Sequence, residues 1–507
     1  MLVKAKKMSN VKIRSPVNLS QQGRIGFLLK DSAVYGGAAA ITKAFSLVTF
    51  PLIARHFSTE DYGLLDFFGV LGAFLVSLII FGQDSAVARF FYEYEESQQR
   101  QRLISQSLIF QLAFNVISVL VLLGLAEPII TRLIDTPESV KYFSLIVLQA
   151  PFLVVLNFSL NLLKWSFQRN KFLLISLGSV LVNVTMLVVG IYGFSVGVYG
   201  VLCIAAIVNS MFAVLGLWLV RGWLIMPREY SYLKELVVFA LPIGCIGVVA
   251  AFVPMMERGV AVSLFSLEEL GVYAAGARVA TLVVLVISAF QTAWGPFSLA
   301  IFKQDDADHT YNLVLKLFVV VMIPLVFLLG AIAHPLLVVL ATNRYSEGAI
   351  VVFPLAMGLV IQATSWITEI GIGISKKSHI NVYSYFAYVV TTMGGIYFFA
   401  EILGLVGIAL GVLLGHLTKA VIATWLAQIV YPMRWHFRPV VLFVLLSLIL
   451  GILMVFISYS AINWWAVVAS YSFVGVGLLI FGVWFLFSSN ERTKAVELLA
   501  LRLLKKS

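Results

Sequence analysis

Phe57-Ser58-Thr59-Glu60-Asp61-Tyr62-Gly63 and Phe265-Ser266-Leu267-Glu268-Glu269-Leu270-Gly271 share the pattern F-S-x-E-x-x-G and stand 208 residues apart, each between two long apolar runs. A second pair, Gly197-Val198-Tyr199-Gly200 and Gly404-Leu405-Val406-Gly407, opens two further apolar runs at a separation of 207. One degenerate loop can recur by chance. Two loops that keep their offset, their order and their position relative to the flanking runs mark an internal repeat, in which one half of the chain is a diverged copy of the other.

The composition states where such a chain lives. With 61% hydrophobic and 12% charged residues over 507 positions, it has too little polar surface for water and reads as an all-α, polytopic membrane protein. Fourteen apolar runs are long enough to span a bilayer as helices, near residues 33–54, 62–82, 105–126, 142–163, 172–192, 197–219, 236–256, 272–294, 313–333, 350–372, 381–400, 404–426, 439–459 and 463–487.

Lys and Arg assign the two sides. With a cytoplasmic N-terminus, segments on that side carry 27 basic residues and the opposite side five, namely Arg55, Arg132, Lys141, Arg258 and Arg344. Lys43, Arg278 and Lys419 inside spans complete the 35, so the net charge of +11 is a positive-inside signal and not a nucleic-acid footprint. Both termini are expected in the cytoplasm. Trp165, Trp218, Trp223, Trp294, Trp425 and Trp484 near cytoplasmic ends, and Trp464-Trp465 at an outer end, form the aromatic belts this topology requires. The basic N-terminal tail runs into a span too long for a signal-peptide core, so no processing is expected. Cys203 and Cys245 fall inside spans and say little about redox compartment, and the sequons at Asn157 and Asn183 fall inside spans as well.

Short loops exclude several classes of function. After the N-terminal tail the longest extramembrane stretches are about twenty residues, too few for a soluble catalytic, nucleotide-binding or receptor domain. No G-x-x-x-x-G-K-[ST] loop is present, and Asp306-Ala307-Asp308, with the spacing of a glycosyltransferase metal motif, reads as a solvated loop. Neither catalytic residues, nor a metal, nor a cofactor is expected.

Polar positions within the spans carry what functional signal there is. Lys43 lies near the middle of the first span, about 15 Å from either end, where a side chain cannot easily snorkel and must face protein or water. Its helix face reads Ser32, Gly36, Ala39, Lys43, Ser46; the second span offers Asp66, Gly69, Ala73, Ser77, Asp84, and the eighth Gly271, Ala274, Arg278, Thr281, Leu285, Ser288, Thr292. A shift of 208 lays the second stripe on the eighth, and lays the first on Gly244, Gly247, Ala251 and Pro254 of the seventh span with Arg258 one turn beyond. Spans one, two, seven and eight are therefore expected to line a shared cavity. Small stripes also let helices pack closely, which is the preferred reading of Gly407, Gly411 and Gly415. The candidate cavity and substrate residues are Lys43, Ser46, Asp66, Ser77, Arg278, Thr281 and Ser288, with a structural ion pair of Lys43 or Arg278 to Asp66 or Asp84 as the competing role. Asp84, Arg89, Arg258 and Glu369 are candidates for gating or ion coupling, Glu369 with Lys376 or Lys377 as ordinary partners; His416 and Lys419 read as snorkelling groups.

Phe57 to Gly63, Gly82-Gln83-Asp84-Ser85-Ala86, Arg89-Phe90-Phe91-Tyr92-Glu93, Phe239-Ala240-Leu241-Pro242 and Phe290-Gln291-Thr292-Ala293-Trp294-Gly295-Pro296-Phe297 occur in an order that resembles the polysaccharide transporter branch of the multidrug, oligosaccharidyl-lipid and polysaccharide exporter superfamily, Wzx-type O-antigen flippases in particular. The resemblance covers nearly the whole chain. It implies two pseudo-symmetric six-helix lobes around a central cavity plus two C-terminal helices, which divides the chain into a tail (1–32), an N-lobe (33–235), a C-lobe (236–438), the last two spans (439–487) and a tail (488–507). It also implies the substrate, an oligosaccharide on an undecaprenyl pyrophosphate carrier turned from the cytoplasmic to the outer leaflet of a bacterial inner membrane, with coupling to a proton or sodium gradient or to the membrane potential. Related lipid II flippases place basic residues of the first and eighth spans toward the cavity, which matches Lys43 and Arg278; a single central cation in the first span departs from the lipid II type and favours an O-antigen or exopolysaccharide unit. Expected partners are the bilayer, the lipid-linked oligosaccharide, a polysaccharide polymerase and a chain-length regulator. The competing readings are a multidrug or cation antiporter of the same superfamily, a membrane glycosyltransferase or polymerase, a lipid II flippase, and a non-transporting scaffold.

Overall fold

The computed structural model describes residues 34–38, 41–42, 45, 48–94, 96–134, 136, 138–227, 229–375, 377–460 and 463–493. All regular elements among the described residues are helical. Among the described residues thirteen helices, from Thr59–Ile80 to Trp464–Leu486, are long and apolar enough to cross a membrane, and they fall one for one on the second to fourteenth apolar runs. The first run lies partly outside the described residues, with helical backbone at 34–38 and 48–56.

The repeated loop starts helices. In the first copy the Ser58 hydroxyl accepts the Asp61 N–H at 3.0 Å while the Ser58 N–H donates to the Asp61 carboxylate at 3.3 Å. The second copy repeats both bonds, Glu269 N–H to Ser266 Oγ at 3.1 Å and Ser266 N–H to Glu269 Oε2 at 3.0 Å. These are reciprocal capping boxes, which satisfy backbone donors a helix cannot satisfy itself. Glu268 has a different task, accepting the Thr59 hydroxyl at 3.2 Å.

The chain forms two compact units, Met1–Gly271 and Val272–Ser507. In the first, Leu233–Leu264 lies antiparallel along Thr59–Ile80 and its continuation Gln83–Glu93. The contacts run in opposite order on the two strands of this seam: Gly63 against Leu267 and Gly271, Asp66 against Arg258, Phe74 against Phe252, Ser77 against Gly247, Gly82 against Gly244, Phe90 against Phe239. The division at 271 follows this packing and differs from the boundary at 235/236 expected from the repeat. Glycines permit the closest approaches. A Cβ on Gly63 would meet the Leu267 carbonyl and, at 2.9 Å, the Gly271 nitrogen, and a Cβ on Gly271 would meet the Thr59 carbonyl, so the two repeat copies interlock through their own glycines. At the other end of the seam Gly82 has φ +71, which L side chains rarely adopt, and a Cβ there would lie 2.6 Å from the Gly244 nitrogen.

In the second unit Ala307–Leu340 packs on Ala349–Thr368 and on Trp464–Leu486. Asn381–Leu403 and Leu405–Val430 form a hairpin. Its seam is the G-x-x-x-G face, where Cβ atoms on Gly407, Gly411 and Gly415 would strike Phe399, Ile396 and Thr392.

Two glycines of one helix separate packing from propensity. Gly63→Ala places a methyl against backbone that cannot rotate away and is expected to cost about 1–3 kcal/mol, whereas Gly69, with nothing within 4 Å of its Cβ position, is expected to gain about 0.5–1 kcal/mol as alanine. Thermal unfolding midpoints of the purified variants in detergent check this; equal shifts in the two would contradict the interlock.

Candidate functional site

Asp66 and Arg258 are 192 residues apart in sequence and in contact in the first unit. The Arg258 guanidinium donates to Asp66 Oδ2 at 3.0 Å and to Glu257 Oε2 at 2.8 Å, with about a tenth of each of the Arg258 and Asp66 side chains exposed. Two carboxylates thus share one guanidinium, whose planar fork suits that geometry better than an ammonium does. This corrects one expectation. Arg258 is not an outer-loop cation, because the helix runs on through Glu257 and Arg258 to Leu264; mutual pairing removes the cost that made them read as a span end. Asp66 is partnered by Arg258.

Along the same seam Ser77 is half-buried, its hydroxyl 3.7 Å from where a Gly247 Cβ would stand. Asp84 lies in the first turn of Gln83–Glu93, where its carboxylate accepts the Ser85 N–H at 2.8 Å. Arg89 lies over the Phe239 ring at 4.7 Å and reaches Glu93 at 4.0 Å, with more than half of each of those two charged side chains exposed. An exposed pair of that kind contributes little to stability. The structure therefore brings together Asp66 with Arg258, and Arg89 with the Phe239 motif. Lys43 and Ser46 lie outside the described residues.

In the second unit Arg278 is half-buried two residues before Leu267–Ala280 ends. Thr281 and Leu282 interrupt the span before Val283–Ile301 resumes, and the Thr281 hydroxyl donates to the Arg278 carbonyl at 2.6 Å. The backbone N–H groups through the interruption stay engaged, Thr281 to Ala277 O at 3.1 Å and Leu282 to Val279 O at 3.0 Å. Ser288, half-buried, donates to Leu285 O at 3.0 Å on the resumed helix.

Glu369, at the junction between Ala349–Thr368 and Ile370–Ile374, faces Lys419 at 3.8 Å. The Lys419 side chain is 0% exposed; its ammonium donates to Ser365 Oγ at 2.8 Å and lies 4.9 Å from the centre of the Tyr385 ring. His416 is buried one turn earlier, stacked on Tyr388 at 4.8 Å, with Gly358 leaving room for its ring. Neither residue snorkels. Leu405–Val430 extends well past residue 426, leaving Lys419 about 16 Å of helix from the nearer end, beyond the reach of its side chain. Glu369 accordingly pairs across the bundle with Lys419, not with Lys377; Lys376 lies outside the described residues.

A cavity of about 210 Å3 in the first unit is lined by Thr42, Thr49, Ser179, Asn183 and Asn209 together with apolar side chains such as Phe45 and Val180. In the sequence Asn183 stands out only as a sequon inside a span, and the others not at all. Their signal was present as Ser179 and Asn183 one turn apart in an apolar span, where amides and hydroxyls seek partners on other helices. Among the described residues no group of three or more His, Cys, Asp or Glu side chains is placed to hold a metal ion.

Removing one member of a buried pair strands the other. Lys419→Met is expected to cost about 3–5 kcal/mol, and adding Glu369→Gln to recover most of it; unfolding of the single and double variants in detergent checks this, and equal loss in both would show that the two groups are not coupled.

A sequence model of a polysaccharide biosynthesis protein family matches residues 52–350. An uncharacterized membrane protein of Haemophilus influenzae is 22% identical over 301 residues, 58% of this chain and 71% of that protein. Among solved structures, the lipid II flippase MurJ in an inward closed conformation superposes with a TM-score of 0.66 at 14% identity, over 88% of this chain and 97% of that one. An inward-facing multidrug resistance MATE family transporter of the MOP superfamily gives 0.61 at 18% identity, over 76% and 94%. At these identities the likeness establishes the fold, that of the multidrug, oligosaccharidyl-lipid and polysaccharide exporters.

Proposed function

As the chain belongs to the polysaccharide biosynthesis protein family and has a transporter fold, we propose that it is a flippase of the Wzx-type branch, carrying an undecaprenyl-pyrophosphate-linked oligosaccharide from the cytoplasmic to the outer leaflet of a bacterial inner membrane. The observation that carries this reading is the coincidence of a polysaccharide family model over residues 52–350 with thirteen membrane-crossing helices. The fold alone does not choose between lipid-linked sugars and drugs, since the two superpositions differ little in TM-score; the family model favours the sugar. O-antigen or exopolysaccharide repeat units are the substrate class proposed.

The task sets the chemistry. A flippase solvates a large polar headgroup while the polyprenyl tail stays in lipid, and makes or breaks no bond. A pyrophosphate at membrane depth needs a fixed counter-charge, because an unpaired buried ion costs several kcal/mol. Lys43 and Arg278 supply it in this reading, and Ser46, Asp66, Ser77, Thr281 and Ser288 offer hydrogen bonds to sugar hydroxyls from a cavity between two six-helix lobes. Alternating access rocks one lobe against the other, and the interlocked loops at 57–63 and 265–271 are the contact that parts when the outer side opens. Asp84, Arg89, Arg258 and Glu369 serve gating or coupling to a proton or sodium gradient or the membrane potential. Both termini are cytoplasmic in this scheme, and a polymerase and chain-length regulator receive the product.

Reporter fusions at Ser97, Tyr230 and Ser378 are expected to report cytoplasm, and those at Glu60, Pro137 and Glu268 the outer side; reversal at two or more sites would sink the topology. In a deletion strain Arg278→Ala is expected to reach the membrane at normal levels yet fail to restore surface polysaccharide, with Arg278→Lys partly active if charge dominates over planar geometry. Full complementation by the alanine variant would place the anion site elsewhere. With Cys203 and Cys245 replaced, joining Thr59→Cys to Glu268→Cys with a short bismaleimide is expected to abolish translocation, while unlinked protein stays active; a cross-linked protein that still transports would show that these loops do not separate.

A further inference from the structure

A cavity of about 550 Å3 lies within the second unit, where Ala307–Leu340, Ala349–Thr368, Phe437–Ser460 and Trp464–Leu486 come together near residues 341–348. It is separate from every candidate residue named so far. Its volume falls in the range of small-molecule sites, about 300–1,000 Å3. Six side chains give it chemical character: His334, Ser346, Glu347, Ser458, Trp464 and Tyr471.

His334, Ser346, Glu347 and Ser458 bring hydrogen-bonding groups to its wall. The His334 Nδ1 is buried without a partner, an arrangement that costs free energy unless something occupies the site. The Ser346 and Ser458 hydroxyls donate their protons to Asn343 O and Met454 O, both at 2.7 Å; the Ser346 oxygen is left as an acceptor, while Ser458 also faces the Tyr471 hydroxyl. Glu347 is exposed, its carbonyl accepts the Ala349 N–H, and its side chain makes no hydrogen bond or ion pair to the described residues. Tyr471 is 3% exposed and seated where Gly330 admits its ring, so its position is fixed by the core. Trp464 is stacked against His334 at 5.5 Å and against Trp465 at 3.9 Å. That stacking holds the imidazole and engages the indole face within the protein.

The ligand class follows from this inventory. Lys and Arg are absent from the lining, so a phosphate or pyrophosphate finds no counter-charge. An engaged indole face works against a quaternary ammonium, which seeks an open π surface. Planar acceptors and donors at the edges of aromatic rings instead suit a guest with many hydroxyls and no net charge. We propose that this cavity is a second glycan site, binding one or two neutral sugar rings through Glu347, His334, Ser346 and Ser458, remote from the proposed transport cations.

The choice of a sugar rests on the flippase reading, but its test needs no transport. Full-length protein in phosphatidylglycerol nanodiscs is examined by saturation-transfer NMR with glucose, galactose, N-acetylglucosamine and N-acetylgalactosamine at millimolar concentration, with ethanolamine as the competing amine. Transfer to at least one sugar is expected. It should weaken about tenfold in Glu347→Gln, as for loss of a hydrogen bond to a charged group, and vanish in Ala349→Phe, which fills the cavity. Both variants must keep the parent unfolding midpoint; should Ala349→Phe lose it, competition between two sugars for the Glu347-dependent signal replaces that arm. No transfer to any sugar, transfer indifferent to Glu347→Gln, or Glu347-dependent binding of ethanolamine alone overturns the proposal. Those results leave the flippase reading standing, whereas full complementation by Arg278→Ala bears on that reading and not on this site.

Discussion

Hydrocarbon offers no hydrogen bonds, and the rest of this structure depends on that constraint. Each backbone group must be satisfied within the chain, which leaves helices as the available spanning element here, and each ionised side chain must find its counter-charge inside the protein. The buried charges obey it by pairing across helices: Arg258 with Asp66 and Glu257 in one unit, Lys419 with Glu369 and Ser365 in the other. Such pairs add little net stability over apolar packing, yet they penalise every arrangement that separates them. They therefore specify which helices are neighbours.

Without a hydrophobic force between helices in lipid, association depends on close backbone approach. The seam between Thr59–Glu93 and Leu233–Leu264 shows how this is arranged, with Gly63 and Gly271 at one end, Gly82 and Gly244 at the other, and Ser77 against Gly247 between them. Both ends also carry motifs that stood out in the sequence. The F-S-x-E-x-x-G copies meet each other, and Arg89-Phe90 meets Phe239. A transporter benefits from contacts of this type, because small surfaces of glycine and backbone bind through shape, which a rigid-body movement can dissolve and remake.

The candidate site was legible in part. Asp66 and Arg278 stood out because an ionisable residue at membrane depth is conspicuous in any apolar run, whereas Arg258 reads as an outer-side residue. The pairing did not stand out, since the contact between Asp66 and Arg258 joins positions 192 residues apart and helix rotation decides it. Lys419 and His416 were misread for a related reason. A lysine a few residues inside an apolar run looks able to reach the headgroups, but the helix continues to Val430 and its side chain points into the bundle against Tyr385. Serine and asparagine on one face of the fifth span passed unnoticed as a polar face because single neutral polar residues are common in spans.

The sequence by itself determined that the chain is an all-α membrane protein and where thirteen of its helices lie, though several run seven or eight residues beyond the apolar stretch that announced them, as Leu233–Leu264 and Ala307–Leu340 do. Those properties reside in hydropathy, helix period and local capping, which need no information from distant residues. Tertiary structure decided that the repeated loops interlock through their glycines, that Leu233–Leu264 packs with the first unit, and that Glu369 is held by Lys419. Each of these depends on which face of one helix meets which face of another. In an almost uniformly apolar chain that choice is made by steric fit and by a few buried charges, and neither is visible until the helices are in place.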